Sequence, residues 1–334
     1  MGARLLDGGT GLAMERRQER HYPDYLPLIP GSWIVTILGG SILLVFGLMV
    51  LNGIVIRYDS YAFAALASAM AVLGACRYHA RRMETLGKTR LRDFSESVLL
   101  FMAFSLLGVV STYPIAALSS GFVDGALARG DALMLFDWNS WYAFVIAHPV
   151  LRIGGTLAYS TIYLSPAILL GYMAWNGQRA AARQFILSFW LAATITLLLF
   201  PLFPAKGPLA VFWTGDIPYM PITALYQSEM IPELRTGLLT QIDLGALRGL
   251  VCAPSFHTVS AVLYIAAAWP IAQLRWPLTI MNGAMLLSTP VEGNHYLTDM
   301  LLGLTVALFA LTLLKRAMRM MRGSAAKPAL VAAI

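Results

Sequence analysis

Two short runs carry residues whose types and spacing suit covalent chemistry at an electrophilic centre. One is Cys252-Ala253-Pro254-Ser255-Phe256-His257-Thr258; the other is Gly293-Asn294-His295-Tyr296-Leu297-Thr298-Asp299. His295 and Asp299 are four apart, a spacing that on a helix puts both on one face. A carboxylate there accepts a hydrogen bond from one ring nitrogen, fixes the tautomer and leaves the other nitrogen free to attack. His257 then suits general acid work on the leaving group. Pro254 suits the first turn of a helix, where its missing N–H costs nothing. The free N–H groups of Ser255, Phe256 and His257 would face an anion such as phosphate.

The elements that must position these residues are apolar. The chain has 334 residues, 58% hydrophobic and 12% charged, with mean hydropathy +0.68. That is too apolar for one soluble domain, and the apolar residues come in long blocks. Eight are recognisable: about Trp33–Ile56, Tyr61–Cys76, Phe94–Leu118, Gly155–Trp175, Gln184–Phe203, Phe256–Trp269, Trp276–Val291 and Tyr296–Leu314. The expectation is an all-α, polytopic membrane protein with about eight transmembrane helices, although the second, sixth and seventh blocks are short for a span. The last three would enter, return and re-enter the membrane. His257 and His295 would then lie at one face, at the starts of two parallel helices.

Charge orients this arrangement. With eight spans, both termini share a side with Arg77–Asp93, Gly177–Arg183 and Arg275. That side holds eighteen of the 24 Lys and Arg; the other holds Arg57, Arg129, Arg152, Lys206, Arg235 and Arg248. The positive-inside rule makes the first side cytoplasmic, and puts the histidines at the periplasmic, extracellular or lumenal face. The net charge of +7 therefore reads as topology, with no nucleic acid implied. The N-terminal segment with Arg16, Arg17 and Arg20 shows no signal-peptide pattern. Cys76 and Cys252 are too few for a disulfide framework and read as packing residues. His21, His79 and His148 carry no assigned chemistry. In the long connection Ser119–Gly154, Trp138, Trp141 and Tyr142 read as a short helix anchored at the headgroup boundary. The other long connection, Pro204–Ala253, opens with Lys206-Gly207-Pro208 and ends at the His257 run. Lys206 and Arg248 are its candidate phosphate-binding cations, against the plainer reading of Lys206 as a snorkelling side chain.

At these motifs the chain resembles the type 2 phosphatidic acid phosphatase superfamily. The closest likeness is to the branch of inositol-phosphorylceramide (aureobasidin-target) synthases and their bacterial relatives. Pro254-Ser255-Phe256-His257 is similar to the superfamily's Pro-Ser-Gly-His element, with Phe256 in place of glycine. His295 to Asp299 is similar to its His-x-x-x-Asp element in the His-Tyr form of the synthase branch. Asp131 to Tyr142 and Lys206-Gly207-Pro208 also resemble bacterial members of that branch, and the likeness runs from about Ala126 to Leu314. Two phosphate-binding arginines of the phosphatases are missing: Trp213 and Thr289 stand at those spacings, as in the synthase branch.

The resemblance implies a six-helix catalytic core at 94–314. Around it lie a cytoplasmic segment at 1–32, two extra helices with a basic loop at 33–93 and a basic tail at 315–334. It implies transfer or hydrolysis of a phosphate or phospho-headgroup on a lipid, through a phosphohistidine on His295, oriented by Asp299, with His257 as acid. Lys206, Ser255, Arg248 and Phe256 would bind the phosphate. No cofactor or metal is implied. The partners are the bilayer, a lipid phosphate or phospholipid headgroup donor, and a ceramide-like or diacylglycerol acceptor. Three rivals stand beside this reading: a lipid or polyprenyl phosphate phosphatase using water, a transporter or flippase, and a metal-dependent hydrolase with His257, His295 and Asp299 as ligands. Few ionisable residues fall at mid-span, which argues against transport.

Overall fold

The computed structural model describes residues 29–80, 86–223 and 225–326. The N-terminal segment with Arg16, Arg17, Arg20 and His21, residues 81–85 of the basic Arg77–Asp93 loop and the end of the tail lie outside the described residues.

Every apolar block is a helix. The first three are α1 (Gly31–Leu51), α2 (Tyr61–Ala80) and α3 (Leu86–Leu118). Two short helices, α4 (Asp124–Leu133) and α5 (Trp138–Ala147), lead to α6 (Pro149–Trp175) and α7 (Arg179–Leu199). The next connection holds α8 (Pro208–Phe212) and α9 (Tyr226–Thr236); α10 (Phe256–Ala268), α11 (Ala272–Glu292) and α12 (Leu297–Ala326) follow. Among the described residues the only sheet is one parallel pair, β1 (Val55–Ile56) with β2 (Gln241–Ile242).

The chain is an all-α polytopic membrane protein; among the described residues six helices, against the eight expected spans, are long and apolar enough by length and composition to cross a bilayer. These are α1, α2, α3, α6, α7 and α12. α10 has 13 residues, a rise of about 20 Å against a hydrocarbon core of about 30 Å. Its neighbours are α6, α7, α11 and α12, and Val259, Ala261, Leu263 and Tyr264 are fully buried among them. α11 has 21 residues, diluted by Gln273, Arg275, Asn282 and Glu292. Asn282 turns inward and accepts a hydrogen bond from Ser165 at 3.1 Å. The expected sixth span is thus a short inner helix, whereas the seventh is partly polar and keeps an outward apolar face at Trp276, Ile280 and Leu287.

Side-chain contacts sort the connections into two ends. At one end the buried Glu96 on α3 meets Arg77 (3.1 Å), Arg179 (2.7 Å) and Arg183 (2.5 Å). Arg183 also donates to the Ile29 carbonyl at 2.6 Å. At the other end β1 pairs with β2, and Arg57 lies 3.7 Å from Asp243. The α1–α2 connection and the 204–253 connection therefore share an end, as the distribution of basic residues requires.

Candidate active site

The second motif is a turn between α11 and α12. The chain leaves α11 at Glu292 and passes through Asn294, at φ 54°, whose Oδ1 accepts the Leu209 N–H at 2.8 Å. α12 begins only at Leu297, so His295 precedes the helix and does not share a helical face with Asp299. The two meet through the cap. Asp299 is the third residue of α12, and its Oδ2 reaches back to the Tyr296 N–H at 2.9 Å, half of a capping box. Its Oδ1 is left 2.9 Å from Nδ1 of His295. This is ion-pair distance, with an alignment short of a full hydrogen bond. Cys252 also points at Oδ2, Sγ to oxygen 3.5 Å. Burial, reinforced by Asp299 and Asp124, pushes its thiol well above the usual range, so it remains a donor. His295 is 2% exposed and Asp299 0%.

Two buried acids on α4, seven residues apart, brace this turn. Asp131 caps α12 from outside, accepting the N–H groups of Leu297 (3.1 Å) and Thr298 (2.8 Å) and the Thr298 hydroxyl (2.7 Å). These satisfy N–H groups that a helix start leaves without internal partners. Asp124 accepts the backbone N–H groups of Lys206 and Gly207, each at 3.0 Å, and the Tyr296 hydroxyl at 3.1 Å. Gly207 has φ 92°, and a Cβ there would strike the Asn294 side chain. The Lys206-Gly207 turn is thereby pressed against the residue next to His295.

His257 arrives on α10. Ser255 is the N-cap, its Oγ accepting the Thr258 N–H at 3.4 Å. Pro254 lies outside the helix, contrary to its expected place in the first turn. The Ser255 N–H is not free for an anion either, because it donates to the Asp299 carbonyl at 3.0 Å. Among the described residues only the N–H groups of Phe256 and His257 are left without an acceptor in that turn. α12 crosses close to this point. A Cβ on Gly303 would run into the Ser255 carbonyl oxygen and come within 3.1 Å of the Thr258 side chain. Gly303→Val is therefore expected to lower stability by about 1–3 kcal/mol and to depress activity by prising the two histidine helices apart. Thermal unfolding in detergent beside a turnover assay checks both.

The rings of His257 and His295 lie 5.7 Å apart, at 62°. His257 Nδ1 is 3.2 Å from the hydroxyl of Tyr159 on α6, whose ring stacks on the imidazole at 4.4 Å. His257 is among the residues that line an apolar cavity of about 510 Å³; His295 is not. The cavity's lining runs along α3 from Phe94 to Thr112 and includes Phe189, Tyr264, Gly249 and Val251. Phe256 lines it too, edge-on to Phe189 at 5.4 Å. The side chain that replaces glycine in the first motif thus serves the apolar wall.

The remaining candidates are dispersed. The Lys206 ammonium sits over the Phe122 ring, 5.0 Å from its centroid. Arg248 is exposed over Tyr226, next to the cavity-lining Gly249. Trp213 packs edge-on to Tyr142, and Thr289 bonds back to its own helix, so neither position offers charge. Trp138 and Tyr142 are not membrane anchors. Both are buried, the indole N–H donating to the Pro290 carbonyl at 2.8 Å and the phenol to the Tyr219 carbonyl at 2.5 Å. They pack the α4–α5 connection against α11 just before the site. The buried Glu292 accepts from Tyr219 (2.5 Å) and Thr156 (3.2 Å). Burial and that carboxylate hold the Tyr219 phenol up at about 12. His79 and His148 are exposed elsewhere. A metal could be held by Cys252, His295 and Asp299, whose donor atoms lie within 4.8 Å of one another. That set contains Cys252 in place of His257.

Sequence reasoning missed Tyr159, Cys252, Asp124 and Asp131 as parts of the site. Only the aspartates left a signal: two acids seven apart share a helical face. Fold and site together define a polytopic helical membrane protein with a half-buried histidine on the wall of an apolar cavity and a second histidine and a carboxylate buried next to it. The PAP2 superfamily profile matches residues 125–313, more than half the chain, and the chain belongs to that superfamily. Membership supports an enzyme of the phosphatase class acting on lipids. No curated protein and no solved structure matches the chain significantly.

Proposed function

We propose that the protein is a lipid phosphotransferase of the inositolphosphotransferase-like branch, working through a phosphohistidine. The observation that carries this reading is the meeting of the two histidine rings, 5.7 Å apart, one of them, His257, on the wall of the apolar cavity. A lipid chain in the cavity brings its phosphate ester to the rings. Nε2 of His295 attacks phosphorus as the bond to the leaving oxygen breaks, and His257 gives that oxygen a proton. In the second step His257 takes the proton of an acceptor hydroxyl, the hydroxyl oxygen attacks phosphorus and the P–N bond breaks. Asp299 supports the cationic His295 throughout. The Phe256 and His257 N–H groups, with Lys206 or Arg248 leaning in, hold the phosphate oxygens. The missing arginines at Trp213 and Thr289 favour the synthase branch and a lipid hydroxyl as acceptor. With water as acceptor, the same steps make a lipid phosphatase.

Lipid profiling tests the assignment. A deletion strain and a His295→Ala strain are expected to accumulate the same donor lipid and lose the same product. Unchanged lipid phosphates in both would overturn the reading. The site face is tested separately. Thr214 and Asn176 are exposed at opposite ends of the bundle. In a background lacking Cys76, a cysteine at position 214 is expected to react with an impermeant thiol reagent in intact cells (spheroplasts where an outer membrane intervenes), and one at 176 is not. The reverse pattern would place the site on the cytoplasmic face.

A further inference from the structure

We infer that Tyr159 is a positioning residue that holds His257 in the tautomer with its proton on Nε2, opposite to the tautomer of His295. The partners of the two rings differ in kind. Nδ1 of His295 faces a carboxylate oxygen at 2.9 Å. A carboxylate only accepts, so the His295 proton belongs on Nδ1 and the lone pair on Nε2. Nδ1 of His257 faces a phenol at 3.2 Å. That hydroxyl is buried, with Tyr159 4% exposed, and among the described residues it has no other acceptor. A buried donor left unmade is costly, so the phenolic proton is directed to Nδ1 of His257 and the ring keeps its own proton on Nε2. The two rings also stack, with centroids 4.4 Å apart, which limits the swing of the imidazole.

The consequence is a division of labour set before substrate arrives. One histidine presents a lone pair and the other an N–H. When His257 gains a second proton beside an anionic substrate, the phenol can rotate and accept from Nδ1–H, since a hydroxyl both donates and accepts. A tyrosine therefore serves both states, whereas a carboxylate in its place would make the two histidines alike.

The kinetic part of this inference rests on the phosphotransfer reading; the tautomer does not. Long-range ¹H–¹⁵N spectra of histidine-labelled protein in detergent are expected to show protonated Nε2 for His257 and protonated Nδ1 for His295. Loss of the respective signals in His257→Ala and His295→Ala assigns them. Tyr159→Phe keeps the stack and removes the hydroxyl. It is expected to leave the His295 pattern intact, to mix the His257 tautomers and to lower kcat on the lipid about tenfold with KM within twofold. A wild-type His257 protonated on Nδ1, or unchanged spectra and kcat in Tyr159→Phe, would overturn the inference. A wild type that turns over no lipid phosphate would overturn the proposed function and leave the spectra to decide the tautomer.

Discussion

His295→Ala is expected to abolish both turnover and any acid-labile, base-stable phosphate bound to the protein, while His257→Ala loses turnover in a way that depends on the substrate. The difference follows from what each ring offers. Without His295 no nitrogen attacks phosphorus, so no ester is a better substrate than another. Without His257 the attack survives but a lipid alkoxide must leave unprotonated. An aryl phosphate departs without that proton, so its turnover in His257→Ala should recover relative to the lipid, by an amount in the range of general acid catalysis, about 10²–10⁴. The measurement is kcat on paired alkyl and aryl esters for both variants, beside acid and base treatment of labelled protein. Rescue at position 295 instead of 257 would exchange the two roles. Activity stopped by a chelator and restored by zinc would point to Cys252, His295 and Asp299 as metal ligands and sink the covalent scheme.

Asp299→Asn should cost nearly as much, although it deletes no reacting atom. Oδ2 of Asp299 accepts the Tyr296 N–H at 2.9 Å, and an asparagine keeps that cap by turning its carbonyl oxygen there. Its NH₂ then faces Nδ1 of His295. A donor there moves the ring proton to Nε2 and blocks the nucleophile. The corresponding tautomer error in a serine-protease triad costs about 10⁴ in rate, and a similar fall in kcat is expected here. The melting temperature should change little, since the cap survives. Asp299→Ala, which loses cap and orientation together, should lower both. A kcat within tenfold of wild type for Asp299→Asn would show that His295 does not need its tautomer fixed from this side.

Much of the molecule was legible in its residues. Composition and block length established an all-α membrane protein, because a long apolar run has few ways to satisfy its backbone in lipid except as helix. The spacing of the two motifs across one intervening helix put His257 and His295 at the same end, and the structure brings their rings together. The span count did not follow from composition alone. α10 has a helical sequence too short for a span and is buried among four neighbours, while α11 turns its polar Asn282 and Glu292 inward and leaves Trp276, Ile280 and Leu287 outside.

The site depended further on tertiary structure. His295 and Asp299 are four positions apart, yet their contact comes from a capped turn before α12, with Asp131 on α4 closing the helix start. The same holds for Tyr159, one of three tyrosines in a 27-residue helix, which matters only because α6 lies against α10. Trp138 and Tyr142 read as membrane anchors by type, and packing against α11 made them core. Sequence by itself determined which residues can attack, donate and accept, since those are properties of side chains. The bundle decided which nitrogen does each, because a tautomer is set by whichever partner is buried against the ring, and that partner comes from another helix or from the folded-back turn.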